Sequence, residues 1–152
     1  MAGEADAEEA ELEAEIAKLD RKDSKLIARF KSMFGKAAAD TRQKAMVFKA
    51  LVLVAKAVRW SQDAEKLYWS QKDGKARSDA DFDKAERMLQ EGVRMIDSAM
   101  SDQSPGGMAM VGSFKAFMPL REKLLIQLKD IQYQRLGVVK SPEELKEEVS
   151  RG

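Results

Sequence analysis

The chain has 152 residues, 35% of them charged and 44% hydrophobic, which suits one buried core and does not suit a membrane-embedded protein. It contains no cysteine and no histidine, so disulfides, thiolate nucleophiles, the commonest zinc ligand and the commonest general base are all missing. A catalytic role is therefore not expected, and neither is a metal, a cofactor or a small-molecule substrate. Net charge is only +1 but uneven: residues 1–17 hold seven acids and no base, 18–77 hold sixteen bases against six acids, and 78–152 hold eleven bases against thirteen acids.

The opening "MAGEADAEEAELEAE" is acidic where a targeting presequence is basic or apolar. That points to a soluble intracellular setting, cytoplasmic by default. The first helical segment is expected over residues 4–34. Leu12, Ile16, Leu19, Leu26, Phe30 and Met33 recur at alternating spacings of four and three, with Asp23 at the missing position. This spacing describes a coiled-coil-like seam with a polar break. Residues 4–18 offer little apolar area besides Leu12 and Ile16, so the start of this helix is expected to project from the rest.

Asp40 or Thr41 can cap a second helix reaching about residue 72. One seam reads Met46, Ala50, Leu53, Ala57, Trp60, Ala64, Leu67, and a second reads Val47, Leu51, Val54, Val58. Polar groups keep to a stripe around Lys49, Lys56, Arg59 and Asp63. Such a helix is covered on most sides and is the central one. Between Thr41 and Gln62 there is no acid at all, while Arg42, Lys44, Lys49, Lys56 and Arg59 are present. A basic helix with bulky anchors can also meet a partner groove or an anionic membrane surface. Nucleic acid is not favoured, because exposed stacking aromatics are scarce and the total charge is near zero.

This helix says Trp-Ser-Gln twice, nine residues apart, at Trp60 and Trp69. At about 100° per residue the two copies point in opposite directions and cannot form one surface. Trp60 falls in the apolar seam and is expected in the core. Trp69 falls beside Lys66 on the polar side and is a candidate anchor for a partner.

"KDGKARSD" is a turn, and Ser78 with Asp81 forms a capping-box variant for a third helix over 79–100. Asp79, Asp81 and Asp83 imitate the start of a calcium loop, but Lys84 and Gln90 stand where it needs Gly and Glu. The third seam reads Phe82, Ala85, Leu89, Gly92, Ile96, Ala99. Ala50, Ala57 and Ala64 on one side of the turn match Ala85, Gly92 and Ala99 on the other, which implies a close antiparallel crossing. Residues 64–100 resemble tetratricopeptide or microtubule-interacting-and-transport hairpins in layout, without a diagnostic spacing, and no family follows from it.

After a linker over 101–113, a fourth helix is expected to start at Pro119 and end before Gly137. Leu120, Leu124, Leu128 and Ile131 share one face; Ile126 and Tyr133 stand apart from it, which marks a second contact. That contact is either the N-terminal helix or a foreign partner. Ser141, Pro142 and Glu144 start a short last helix.

The sequence thus predicts an all-α protein, a bundle of four main helices with a long N-terminal coiled-coil-like helix and a short C-terminal one. Its divisions are an acidic arm (1–36), a bundle core (37–137) and a terminal helix (138–152). The expected function is that of a structural or adaptor subunit working through protein–protein contacts in a larger assembly or homo-oligomer. Lys66, Trp69, Ile126 and Tyr133 are the candidate contact residues. The alternative is a stand-alone recognition module for a peptide or anionic membrane surface, using the helix over 41–62.

Overall fold

The computed structural model describes residues 3–68, 78–101 and 113–151. These form six helices and no strand: α1 (Gly3–Ile16), α2 (Arg21–Ala37), α3 (Thr41–Tyr68), α4 (Asp79–Ser101), α5 (Ser113–Arg135) and α6 (Pro142–Arg151). The turn at 73–77, the linker at 102–112 and Trp69 lie outside the described residues.

Caps set three of the helix starts. Asp40 Oδ1 accepts the Gln43 N–H at 2.8 Å and begins α3. Ser78 Oγ accepts from the Asp81 N–H at 3.2 Å, and Asp81 Oδ2 accepts the Ser78 N–H at 3.3 Å, so the expected box opens α4. Ser141 and Glu144 do the same for α6, with the Glu144 N–H on Ser141 Oγ at 3.2 Å.

The expected single helix over 4–34 is two helices. The chain tightens after Ile16, with Lys18 N–H on the Glu15 carbonyl and Leu19 N–H on that of Ile16, and Asp20 is extended (φ −63°, ψ 155°). The reason lies in α3. Gln62, itself buried, accepts the Asp20 N–H at 3.2 Å and donates to Asp23 Oδ2 at 2.6 Å. Asp20 carries no side-chain cap of its own, so α3 supplies the cap from a distance.

The first part does not project either. Ala5, Leu12 and Ile16 are buried in it, Leu12 completely. Contacts run from Glu11 to Lys56 and from Asp20 to Lys66, so α1 lies along α3 in the same direction. Contacts from Asp23 to Gln62 and from Lys31 to Phe48 show α2 returning antiparallel. Three acids of α1 pair with bases of neighbouring helices, Glu9 and Glu13 with Lys31 and Glu11 with Lys56, which offsets part of the charge imbalance along the sequence. Burial acts to lower the Lys31 pKa, but the hydrogen bond and charge of Glu13, with Glu9 behind them, hold it above the usual lysine value.

Helix α3 is the centre. Val47, Phe48, Leu51, Val52, Val54, Ala55, Ala57 and Val58 are all buried, so its apolar surface belongs to the core; Lys49 and Arg59 reach solvent. Helix α4 crosses it closely with Ala85, Leu89, Gly92, Ile96 and Ala99 buried. A Cβ built on Gly92 would sit 3.4 Å from the Ala57 carbonyl oxygen and 3.5 Å from Trp60 Cβ, and it would overlap Leu124 Cδ2. Glycine here admits two helices at once.

Helix α5 begins at Ser113, ahead of the expected Pro119, which lies within it. Packing outweighs the helix-breaking tendency. Phe117 is buried and meets Phe30 and Phe34 of α2 edge to face, with centroids 5.7 and 6.1 Å apart, and those contacts hold the turn before the proline. Arg121 reaches Asp97 at 2.6 Å and Arg135 pairs with Asp83, so α5 runs antiparallel to α4, while Ser61 Oγ of α3 donates to Gln127 at 2.7 Å.

Candidate interaction surface

The residues singled out from sequence fall in different places. Lys66 is exposed in the last turn of α3, 3.9 Å from Asp20 at the α1–α2 turn. Trp69 lies outside the described residues. Ile126 is half-buried on α5. Tyr133 is half-buried too, but its hydroxyl donates to Glu148 of α6 and the Lys140 ammonium sits 5.2 Å from its ring centre. The hydrogen bond to Glu148 keeps the Tyr133 phenol above the ordinary tyrosine range. The second contact on this side of α5 is therefore the C-terminal helix. Lys66 and Tyr133 have separate partners and do not form one site.

Trp60 was expected in the core, and the structure leaves it half-buried. Its Cβ faces the Gly92 crossing, and the residue lines two concavities. One, of about 560 Å³, is walled by Lys84, Arg87, Met88 and Arg94 of α4. There the Arg94 hydrogen bond holds the Glu91 carboxyl below its usual range. The other, of about 360 Å³, lies between α1, α3 and α4 and is lined by Glu15, Lys56, Arg59, Asp63 and Met95 as well. Lys56 is 3.8 Å from Glu11, and Arg59 is 3.8 Å from Asp63. Glu15 belongs to the last turn of α1, and its carboxylate is nearly buried.

A third feature is the corner between α5 and α6, which sequence reading treated only as a helix end. Gly137 takes φ 77°, its N–H bonds the Gln134 carbonyl at 2.9 Å, and the Val138 N–H bonds that of Tyr133 at 3.0 Å. This pair of bonds is a Schellman cap, and glycine is the residue that adopts its left-handed turn without strain. The cap and the Ser141–Glu144 box fix the corner from both ends. Between them Leu136, Val138 and Val139 are 77%, 40% and 82% exposed. The signal was in the sequence: "LGVV" puts three large apolar residues around a glycine that must lie outside a helix.

Among the described residues, no group of three or more acidic side chains is placed to hold a metal ion, and no helix is long and apolar enough to cross a membrane. No family model matches the chain, and neither a curated protein nor a solved structure is measurably similar to it.

Proposed function

We propose that the protein is a non-catalytic structural or adaptor subunit that joins a larger assembly through helix-mediated protein–protein contacts. The observation that carries this reading is the apolar corner at 136–139, where three large side chains stand in solvent on backbone fixed at both ends. Burying a side chain of this kind contributes about 1.5–3 kcal/mol, and a surface already ordered loses little entropy on docking. Scattered exposed apolar residues are ordinary; three within four positions on a rigid turn fit a contact better. The test is a photo-crosslinking residue at Val139 in the native cell. It should trap a defined partner or a second copy of the chain, with no product from the same group at Glu143. Failure of Val139→Asp to weaken co-purification of that partner would count against the proposal.

The alternative, recognition of an anionic surface, finds its support on α2 rather than on residues 41–62. Arg21, Lys22, Lys25 and Arg29 are exposed there along one shallow groove. Sedimentation with anionic vesicles, sensitive to salt and lost on charge reversal of Lys22 and Lys25, is the outcome that would favour it.

A further inference from the structure

We infer that the outer face of α2 docks an acidic, amphipathic helix of a protein partner, with the partner's carboxylates set against its bases. The inference rests on the adaptor reading in taking the partner to be a protein. It uses a surface separate from the corner at 136–139, so either contact can fail alone. A spacing carries it. Ile27, Phe30 and Phe34 turn one side of α2 into the core. On the opposite side Lys22, Leu26, Arg29, Met33 and Lys36 follow at steps of four, three, four and three, the spacing of a seam between two helices. At about 100° per residue these positions, with Arg21 and Lys25, fall within an arc of roughly 140°. The five bases are exposed, Met33 is 52% exposed, and Leu26 is half-buried along the groove that four of the bases line.

Within the described residues nothing answers this charge. None of the five bases forms an ion pair or a side-chain hydrogen bond there, whereas Lys31 of the same helix holds Glu9 and Glu13. The groove's one acid, Asp23, accepts from Gln62 of α3 at 2.6 Å, and Asp20 just ahead of the helix lies 3.9 Å from Lys66. The arrangement costs stability. Arg21 and Lys25, and again Lys25 and Arg29, are like charges four apart, and Arg21 and Lys22 sit at the positive end of the helix dipole. A row of carboxylates alongside relieves both penalties. The apolar members decide the kind of partner. Leu26 and Met33 are seven apart, so a partner that meets both presents apolar groups at the same period, as a helix does. From Arg21 to Lys36 the face is about 22 Å long, which four turns of a partner helix match. Two apolar residues, one of them half-buried, give a lipid surface little to hold, and no aromatic stands on this arc for a nucleic-acid base to stack on.

The test titrates the full chain, followed by heteronuclear NMR, with a synthetic helix that carries leucines at steps of four and three and glutamates beside them. It should shift the exposed amides of α2 saturably, and less tightly as salt is raised. Its twin with glutamine for glutamate, and polyglutamate of equal charge, should each bind at least tenfold more weakly. Charge reversal by Lys22→Glu with Arg29→Glu should weaken binding at least tenfold, and Met33→Asp at least threefold. These positions are exposed, so melting temperatures should stay unchanged or rise, which a merely structural role would not give. Val139→Asp should leave the titration unaltered, so that a failure at the corner is read apart from a failure here. No saturable binding, shifts centred away from α2, polyglutamate binding as well as the helix, or an unaltered titration of Met33→Asp would overturn the inference. Tighter binding to phosphatidylserine vesicles or to duplex DNA than to the acidic helix would overturn it as well, and would assign the face to lipid or to nucleic acid.

Discussion

Helices α1 and α4 cover α3 from different sides, and the residues that attach them differ in kind. Helix α4 brings a stripe of five buried residues, Ala85 to Ala99, spaced three and four apart, with Gly92 at the closest approach. Helix α1 brings Ala5, Leu12 and Ile16 among seven acids, and secures itself by ion pairs to Lys31 and Lys56. Periodicity marks the first kind of attachment plainly. The second depends on what the neighbour needs: α3 is apolar on most of its circumference, and any side left open would expose that surface to water. A helix with three apolar contacts is enough to cover it when its charges find partners.

Four substitutions break this comparison at different strengths. The largest effect is expected for Gly92→Leu, which forces a side chain against Leu124 and the Ala57 backbone; overpacking of this severity should cost about 3 kcal/mol or more. Chemical denaturation with an unaltered midpoint would show that α3 and α4 do not cross there. Leu12→Ala comes next, at about 3 kcal/mol for a fully buried leucine, against less than about 0.5 kcal/mol if α1 were a solvated arm. Gln62→Ala removes the acceptor for the Asp20 N–H and the donor to Asp23, a loss of about 1–2 kcal/mol, measurable by thermal melting.

The smallest effect belongs to the charge clasp. Lys31→Met should cost no more than about 1 kcal/mol, and less at high salt, because the acids it pairs with are partly exposed. The pKa of Lys31 is raised in the folded chain, so this contribution is complete below the ordinary lysine value of about 10.4 and is lost as pH rises through the folded one. Tyr133, also raised, acts in the same direction through its bond to Glu148. Melting curves from pH 8 to 11 should fall more gently for Lys31→Met than for the parent; parallel curves would exclude the clasp.

Much of the fold was legible because local chemistry and tertiary packing agree in it. The caps at Asp40, Ser78 and Ser141, the glycine stop at 137 and the Ala–Gly crossing are each encoded within a few residues of where they act. Three features were not legible, for one physical reason. The break at 17–20 is made by Gln62, the helical turn before Pro119 by Phe30 and Phe34, and the half-covered state of Trp60 by grooves that three helices shape together. Each depends on a partner far along the chain. The candidate site shows the same division. The placing of Tyr133 off the main stripe of α5 marks a second contact, but its use by α6 arises only when the helices meet.

The central claim is that α1 belongs to the same cooperative unit as the α3–α4 crossing. Native-state hydrogen exchange tests it most directly. Amides of residues 12–16 should open with the same free energy as those of residues 89–96, and Leu12→Ala should lower both together. Amides of α1 that exchange freely while those of α4 stay protected would contradict the account, because Leu12 and Ile16 would then leave the core and Glu15 would be a solvated carboxylate on a frayed helix.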